Sequence, residues 1–323
     1  MALGEFDLIA KYFSPRTRRA VLGGGDDCAL LQPAPGQQLA VSTDLLLEGR
    51  HFLPTVAPEL LGHKSLAVNL SDLAACGARP LAFTLALALP RVDEGFLEGF
   101  SRGLLALAVE HDCELVGGDT TAGPLAIGIT VFGEVPPGQA LLRSGACAGD
   151  ELWVSHAADG GLGDARLALE VFRGRVALAG EAFSEVRVAL ERPQPRVALG
   201  LALRGVANSA IDLSDGLLGD LGHILERSGV GATLEYAALP RSRALAAQPE
   251  GVQQACLLAG GDDYELLVSA APAQRDALQR AARDAGVALA RIGRIDAEPG
   301  LRVLDAQGRP FAHGLRSFDH FAP

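Results

Sequence analysis

The chain has 323 residues, 49% hydrophobic, 21% charged and 5% aromatic, so it can fill about two aliphatic cores and is neither disordered nor fibrous in composition. A net charge of −11 repels polyanions, which excludes nucleic acid as a partner and requires that any phosphate substrate be bridged to carboxylates by metal ions. The five cysteines (Cys28, Cys76, Cys113, Cys147, Cys256) contain no C-x-x-C pair, which argues against a zinc ribbon or a disulfide framework.

Strand patterns open the chain at 28–32 and 39–42. A helix is predicted from Pro58, at the first helical position, to about Gly77, followed by a strand over 81–89. A second helix spans about 93–110, with Phe96, Leu97, Phe100, Leu104 and Leu107 on one face. A short strand at 114–116 ends at Gly117-Gly118, and 125–135 alternates with Leu125, Ile127, Ile129 and Val131 on one side. Pro136-Pro137-Gly138 and Ala148-Gly149-Asp150 bracket a boundary, giving domains 1–138 and 148–323. Beyond it come a strand at 151–155, a glycine loop at 159–163 and a helix over 163–172. After the extended Arg192-Pro193-Gln194-Pro195 follow a helix over 216–228 capped by Gly229, a strand at 264–269, a helix over 272–285 and a strand at 289–292. The expected class is α/β (α+β) with two domains. The longest apolar stretch, 81–89, is far below the ~20 residues that span a bilayer, and residues 1–13 lack a signal-peptide core, so no membrane association and a cytoplasmic location are expected. The halves echo each other in Asn69-Leu70-Ser71-Asp72 against Asp212-Leu213-Ser214-Asp215, and in Gly117-Gly118-Asp119 against Gly260-Gly261-Asp262-Asp263, through duplication or through chance recurrence of short strings.

The chemistry lies in aspartates at strand ends and loops, where sites in sheet proteins gather: Asp26-Asp27 after three glycines, Asp44 after Ser42-Thr43, and Asp119. Asp72 falls inside an apolar helix, where Ser65, Asn69 and Asp72 form one polar stripe opposite Leu66, Leu70, Leu73 and Ala74. A solvated helix face is one reading; a paired or metal-bound carboxylate is the other. Asp27, Asp44, Asp72, Asp119, Asp212 and Asp215 would repel one another if gathered, and an oxygen-rich set without a His/Cys cluster favours Mg²⁺ and with it a polyphosphate. No G-x-x-x-x-G-K-[ST] loop, H-R-D or D-F-G string is present. The glycines at 23–25 and 160–163 either cradle phosphate or make tight turns.

GGDDCALL (24–31), STD (42–44), EGRHF (48–52), GHKSLAVNLSD (62–72), GGDTT (117–121), RSGA (143–146), IDLSDG (211–216), GDDYEL (261–266) and FDHF (318–321) stand in an order that resembles the thiamine-monophosphate kinase family over nearly the whole chain. The resemblance implies a fold shared with aminoimidazole ribonucleotide synthetase, a homodimer made by joining the sheets of the N-terminal half, and a C-terminal half covering the site. It implies direct transfer of the γ-phosphoryl group of ATP to thiamine monophosphate, with Mg²⁺. By position, Asp27, Ser42, Thr43, Asp44, Asp72, Asp119, Asp212 and Asp215 would bind Mg²⁺. Gly118, Asp119, Arg143 and Ser214 would contact ATP, and His51, Asp262 and Phe318 the thiamine substrate. The chain departs from the family in carrying Asp262 where Glu is frequent, and Gly163-Asp164-Ala165 where the family has Gly-Asp-Ser. The acceptor phosphate has a second pKa near ~6, so no general base is required; charge neutralisation falls to Mg²⁺, Arg143 and Lys64. The alternatives are another ATP-dependent enzyme of the same superfamily and a non-catalytic nucleotide- or metal-binding regulator.

Overall fold

The structure, a computed structural model, describes residues 4–24, 28–158, 160–310, 314, 315 and 317. Its backbone contacts divide the chain into two compact units, residues 1–73 with 78–138, and residues 74–77 with 139–323.

The first unit runs α1 (Glu5–Tyr12), β1 (Gln38–Leu47), α2 (Pro58–Ala75), β2 (Arg79–Leu89), α3 (Glu94–Glu110), β3 (Glu114–Ala122) and β4 (Ala126–Val135). The strands form one sheet in the order β1-β4-β2-β3, with β2 and β3 parallel and the other pairs antiparallel. A parallel pair needs a crossover, and α3 supplies it. That helix begins where the Asp93 carboxylate accepts from the Phe96 N–H (3.1 Å), and it buries Leu97, Phe100, Leu104 and Leu107. α2 packs against both α3 and β1, and its Leu66, Leu70 and Leu73 are fully buried. It meets α3 through glycines. A Cβ added at Gly103 would stand 1.9 Å from the Glu59 carbonyl oxygen, and one at Gly62 2.0 Å from that of Phe100. The far face of β1 is apolar and open: Leu39, Val41, Leu45 and Leu47 are 47%, 55%, 56% and 39% exposed.

The second unit runs β5 (Glu151–His156), α4 (Asp164–Phe172), α5 (Gly180–Glu191), α6 (Val197–Ala202), β6 (Ser209–Asp212), α7 (Leu217–Ser228), β7 (Gly231–Glu235), α8 (Arg243–Ala246), α9 (Glu250–Ala259), β8 (Leu266–Ala270), α10 (Arg275–Asp284), β9 (Ala288–Asp296) and β10 (Gly300–Leu304). Its sheet has the order β10-β7-β9-β5-β8-β6, parallel at β10/β7 and antiparallel elsewhere. Leu152, Val154, Ile211, Leu234, Leu267 and Ile292 of the sheet pack with Leu167, Leu221, Ile224 and Leu257 of the helices in one core.

The expected mixed α/β class holds, with several local differences. Residues 28–32 form no strand; Leu30 makes only an isolated bridge to Leu22. β1 and β3 run on past the expected ends, so Ser42, Thr43, Asp44 and Asp119 lie within strands. The internal echo has no structural counterpart. Asn69–Asp72 lies inside α2, whereas Asp212 ends β6 and Ser214 and Asp215 sit in the loop before α7.

Candidate active site

In the first unit Asp44 and Asp72 lie where β1 faces α2, while Asp119 lies on the opposite edge strand. Along β1 the even-numbered residues Ser42, Asp44 and Leu46 turn toward the helix, and the odd-numbered ones face away. The Ser42 hydroxyl donates to the Asp72 carboxylate (2.5 Å), and the Asp44 backbone N–H donates to Asn69 Oδ1 (3.2 Å). As an edge strand β1 has backbone groups without a strand partner, and Asn69 supplies an acceptor for one of them. The amide of Asn69 also donates to the Ser65 carbonyl (3.0 Å), and the Ser65 hydroxyl to that of Leu61 (2.7 Å). Ser65 and Asn69 are completely buried, so the stripe on α2 is not a solvated face. It is a polar seam whose Asp72 end is half-buried beside Ser42. Lys64, next to Ser65, is buried as well.

Thr43 points to the opposite face of β1, where its hydroxyl pairs with that of Thr130 on β4 (2.8 Å). His51 lies in the turn after β1. Its Nδ1 accepts from the Leu47 N–H (2.9 Å), which places the ring proton on Nε2. Gly118 and Asp119 are exposed on β3, the other edge strand. The glycine is demanded by packing, since a Cβ there would stand 1.9 Å from the Leu85 carbonyl oxygen of β2. Asp27 and Phe318 lie outside the described residues.

In the second unit two acidic segments run side by side. Asp212 ends β6, buried, and the loop beyond it is stitched to residues 261–265 by three backbone bonds, with a fourth inside the loop. Leu213 N–H donates to Glu265, Tyr264 N–H to Leu213, Asp262 N–H to Ser214, and Gly219 N–H back to Gly216, at 2.8–3.0 Å. Asp262 and Tyr264 both have positive φ (67° and 49°), each costing about 1–2 kcal/mol for a residue with a Cβ. Aspartate is among the side chains that tolerate this region best, so the replacement of Glu by Asp at 262 suits the backbone. The Tyr264 hydroxyl donates to Asp262 Oδ1 (3.1 Å).

Asp220, on the first turn of α7, was not singled out by sequence reasoning. Its carboxylate accepts from the N–H groups of Asp215 (3.2 Å) and Gly216 (3.0 Å). Burial, and then the nearby Asp215 carboxylate, push its pKa up to about 7, against the opposing pull of Arg143. Arg143 is exposed, and its own carbonyl accepts from the Ser228 hydroxyl at the end of α7 (3.3 Å). The missed signal was an acid five residues after Asp215, on the helix-facing side of a Gly-started turn.

The glycine loop at 160–163 does not cradle phosphate, because its N–H groups are already used. Gly160 donates to the Ala157 carbonyl (3.2 Å), Gly161 to the Asp164 carboxylate, Leu162 to the Pro240 carbonyl (3.0 Å) and Gly163 to Asp263 Oδ1 (2.9 Å). A Cβ at Gly161 would lie 2.4 Å from Arg241 Cα, so close packing explains that glycine.

The donor chemistry of both units fits a hard cation: carboxylates and a serine hydroxyl, without cysteine. Among the described residues no three acidic, His or Cys side chains gather to hold an ion alone.

Residues 25–135 match the family described as AIR synthase related protein, N-terminal domain, and residues 138–306 match its C-terminal domain. Fold and acidic segments together therefore define an AIR synthase-type protein. Thiamine-monophosphate kinase of Salmonella typhimurium is 46% identical over 329 residues, covering 100% of this chain and 99% of that protein. The crystal structure of thiamine-monophosphate kinase from Stenotrophomonas maltophilia is 48% identical with a TM-score of 0.82, covering 88% of this chain and 91% of that one. AaThiL complexed with AMPPCP and TMP is 28% identical with a TM-score of 0.76, covering 99% of both chains. The chain belongs to the thiamine-monophosphate kinase family.

Proposed function

We propose that this protein transfers the γ-phosphoryl group of ATP directly to the phosphate of thiamine monophosphate, giving thiamine diphosphate and ADP, in the cytoplasm. The observation that carries this reading is the 46% identity to a thiamine-monophosphate kinase over 100% of the chain. A nucleotide and TMP held together in the AaThiL complex agree with it. Of the alternatives, a different enzyme of the superfamily would not account for that full-length identity.

The nucleophile is a phosphate oxygen already ionised near neutral pH, its second pKa being about 6, so the protein's task is positioning and charge neutralisation. Bound Mg²⁺ would supply charge compensation on the phosphates. In this reading Asp27, Ser42, Thr43, Asp44, Asp72, Asp119, Asp212 and Asp215 are its ligands. The Ser42–Asp72 bond presents a hydroxyl and a carboxylate oxygen together, whereas the Thr43 hydroxyl turns to the other face of β1, toward Thr130. Gly118, Asp119, Arg143 and Ser214 contact ATP; His51, Asp262 and Phe318 contact thiamine monophosphate. His51 Nε2, bearing the proton, is a donor suited to a phosphate or hydroxyl. Residues 1–138 act as the ATP/Mg²⁺ and dimerisation domain and 148–323 as the second α/β domain. The homodimer reading is supported by the exposed Leu39, Val41, Leu45 and Leu47 on an edge strand.

The test is incubation with ATP, MgCl₂ and thiamine monophosphate, followed by chromatography. Thiamine diphosphate and ADP should form in equal amounts, and chelation by EDTA should stop both. ADP formation without thiamine diphosphate, or a phosphorylated protein on the reaction path, would overturn the proposal.

A further inference from the structure

Between Asp262 and Tyr264, both in the left-handed region, stands Asp263, whose carboxyl is turned inward instead of toward the candidate site. Its Oδ1 accepts the N–H of Gly163 (2.9 Å), one hundred residues away in sequence, at the end of the glycine loop. That loop is held in turn by Leu162 N–H on the Pro240 carbonyl (3.0 Å) and by Asp164, which accepts from the Ser242 hydroxyl (2.6 Å). Asp262 itself is tied down by its N–H to the Ser214 carbonyl (2.9 Å) and by the Tyr264 hydroxyl.

Two strained residues separated by a single position keep their conformation only if the surroundings over-determine it. The backbone bonds at Asp262 and Tyr264 hold the outer edge of this kink, and the Asp263 side chain holds its inner edge to a separate segment. We propose that Asp263 is a positioning residue: by accepting the Gly163 N–H it fixes the 262–264 kink and so sets the Asp262 side chain for the thiamine substrate. The inference rests on the reading of Asp262 as a substrate contact. Facing Asp263 are the carboxyls of Asp164 on α4 and, on its own segment, Glu265 and Asp262; the Cys256 thiol of α9 lies nearby with Arg166 beside it, and Arg196 pairs with Glu265. Burial raises the Asp263 carboxyl well above the ordinary carboxylate range. An asparagine side chain keeps an oxygen acceptor for the Gly163 N–H.

The experiment compares Asp263→Asn, Asp263→Ala and Asp262→Ala in the full chain, by hydrogen–deuterium exchange without ligands and by steady-state kinetics. Asp263→Ala should speed exchange at Gly163 and residues 262–264 by about tenfold or more, because a buried donor has lost its acceptor. The same variant should raise KM for thiamine monophosphate about tenfold while KM for ATP stays within about threefold. Asp263→Asn should restore both readouts toward wild type. Should the alanine variant not fold, Asp263→Ser, too short to reach Gly163, takes its place. Unchanged exchange at Gly163 overturns the anchor, as does an asparagine variant as impaired as alanine. A raised KM for thiamine monophosphate in Asp262→Ala but not in Asp263→Ala overturns the positioning role and leaves the reading of Asp262 intact. An unchanged KM in both marks failure of the Asp262 reading itself, and the positioning role falls with it.

Discussion

At the scale of single residues, the polar seam between β1 and α2 gives Asp72 two neighbours with different demands. Ser42 needs an acceptor, which an amide oxygen can supply, whereas a cation needs the charge. Asp72→Asn should therefore keep the fold and its melting temperature within a few degrees, and lower kcat/KM by on the order of a hundredfold, equivalent to ~3 kcal/mol of lost electrostatic stabilisation. Near wild-type turnover at saturating MgCl₂ would remove Asp72 from the metal set. Asp164 makes a different prediction, about pH. Its pKa is pushed up to about 6 by burial, against the bonds from Ser242 and Gly161. In the unfolded chain the same group releases its proton near pH ~4. Between those values the unfolded state binds fewer protons, so folding stability falls as pH rises through the window and levels off above it. The contribution is on the order of 2–3 kcal/mol, from about two pKa units. Urea titrations from pH 4 to 7 should show this slope in wild type and a flatter one in Asp164→Asn. Equal slopes would mean that Asp164 is not held neutral.

At the scale of elements, α2 and α3 were legible because their caps and periodicity are local: Pro58 opens one and Asp93 the other, and the apolar face of α3 repeats at helical spacing. Their contact was not legible, since it depends on the absence of side chains at Gly62, Gly99 and Gly103. Gly103→Ala would drive a Cβ into the Glu59 backbone and should cost about 1–3 kcal/mol or more, against a propensity gain of ~1 kcal/mol. Gly222 in α7 has no atom within 4 Å of the corresponding position, so Gly222→Ala should stabilise by about 0.5–1 kcal/mol. Chemical denaturation of the two variants checks the contrast; equal shifts would contradict the packing account. The elements that escaped sequence reading are α1, α5, α6, β6, β7, α8, α9 and β10, most of them short. α6 spans six residues and β7 and β10 five each, too few for a period to emerge, and they form because a neighbour completes their bonding. β1 was cut short at Ser42-Thr43 because Leu45, Leu46 and Leu47 are apolar on both faces, one toward α2 and one toward the open side, which erases the alternation expected of a half-buried strand.

At the scale of the whole molecule, the open face of β1 is where assembly is to be tested. If the wild type sediments as a dimer, Val41→Glu with Leu45→Glu, which places two charges on the apolar edge, should leave a monomer by sedimentation velocity. A wild-type monomer would refute the dimer, and a dimer that survives both substitutions would place its interface elsewhere. The sequence by itself determined the class and the family, because these depend on composition and on strings of adjacent residues in a fixed order. Tertiary structure decided what those strings do. It turned the α2 stripe into a buried seam by laying β1 on it, and it sent Ser42 and Thr43 to opposite faces of one strand. It also filled the N–H groups of the 160–163 loop with Asp164, Pro240 and Asp263, so that a loop resembling a phosphate cradle is an internal joint. The physical reason is that a backbone N–H or a carboxylate is satisfied by whichever partner the fold brings within about 3 Å, and those partners lie up to a hundred residues away in the chain.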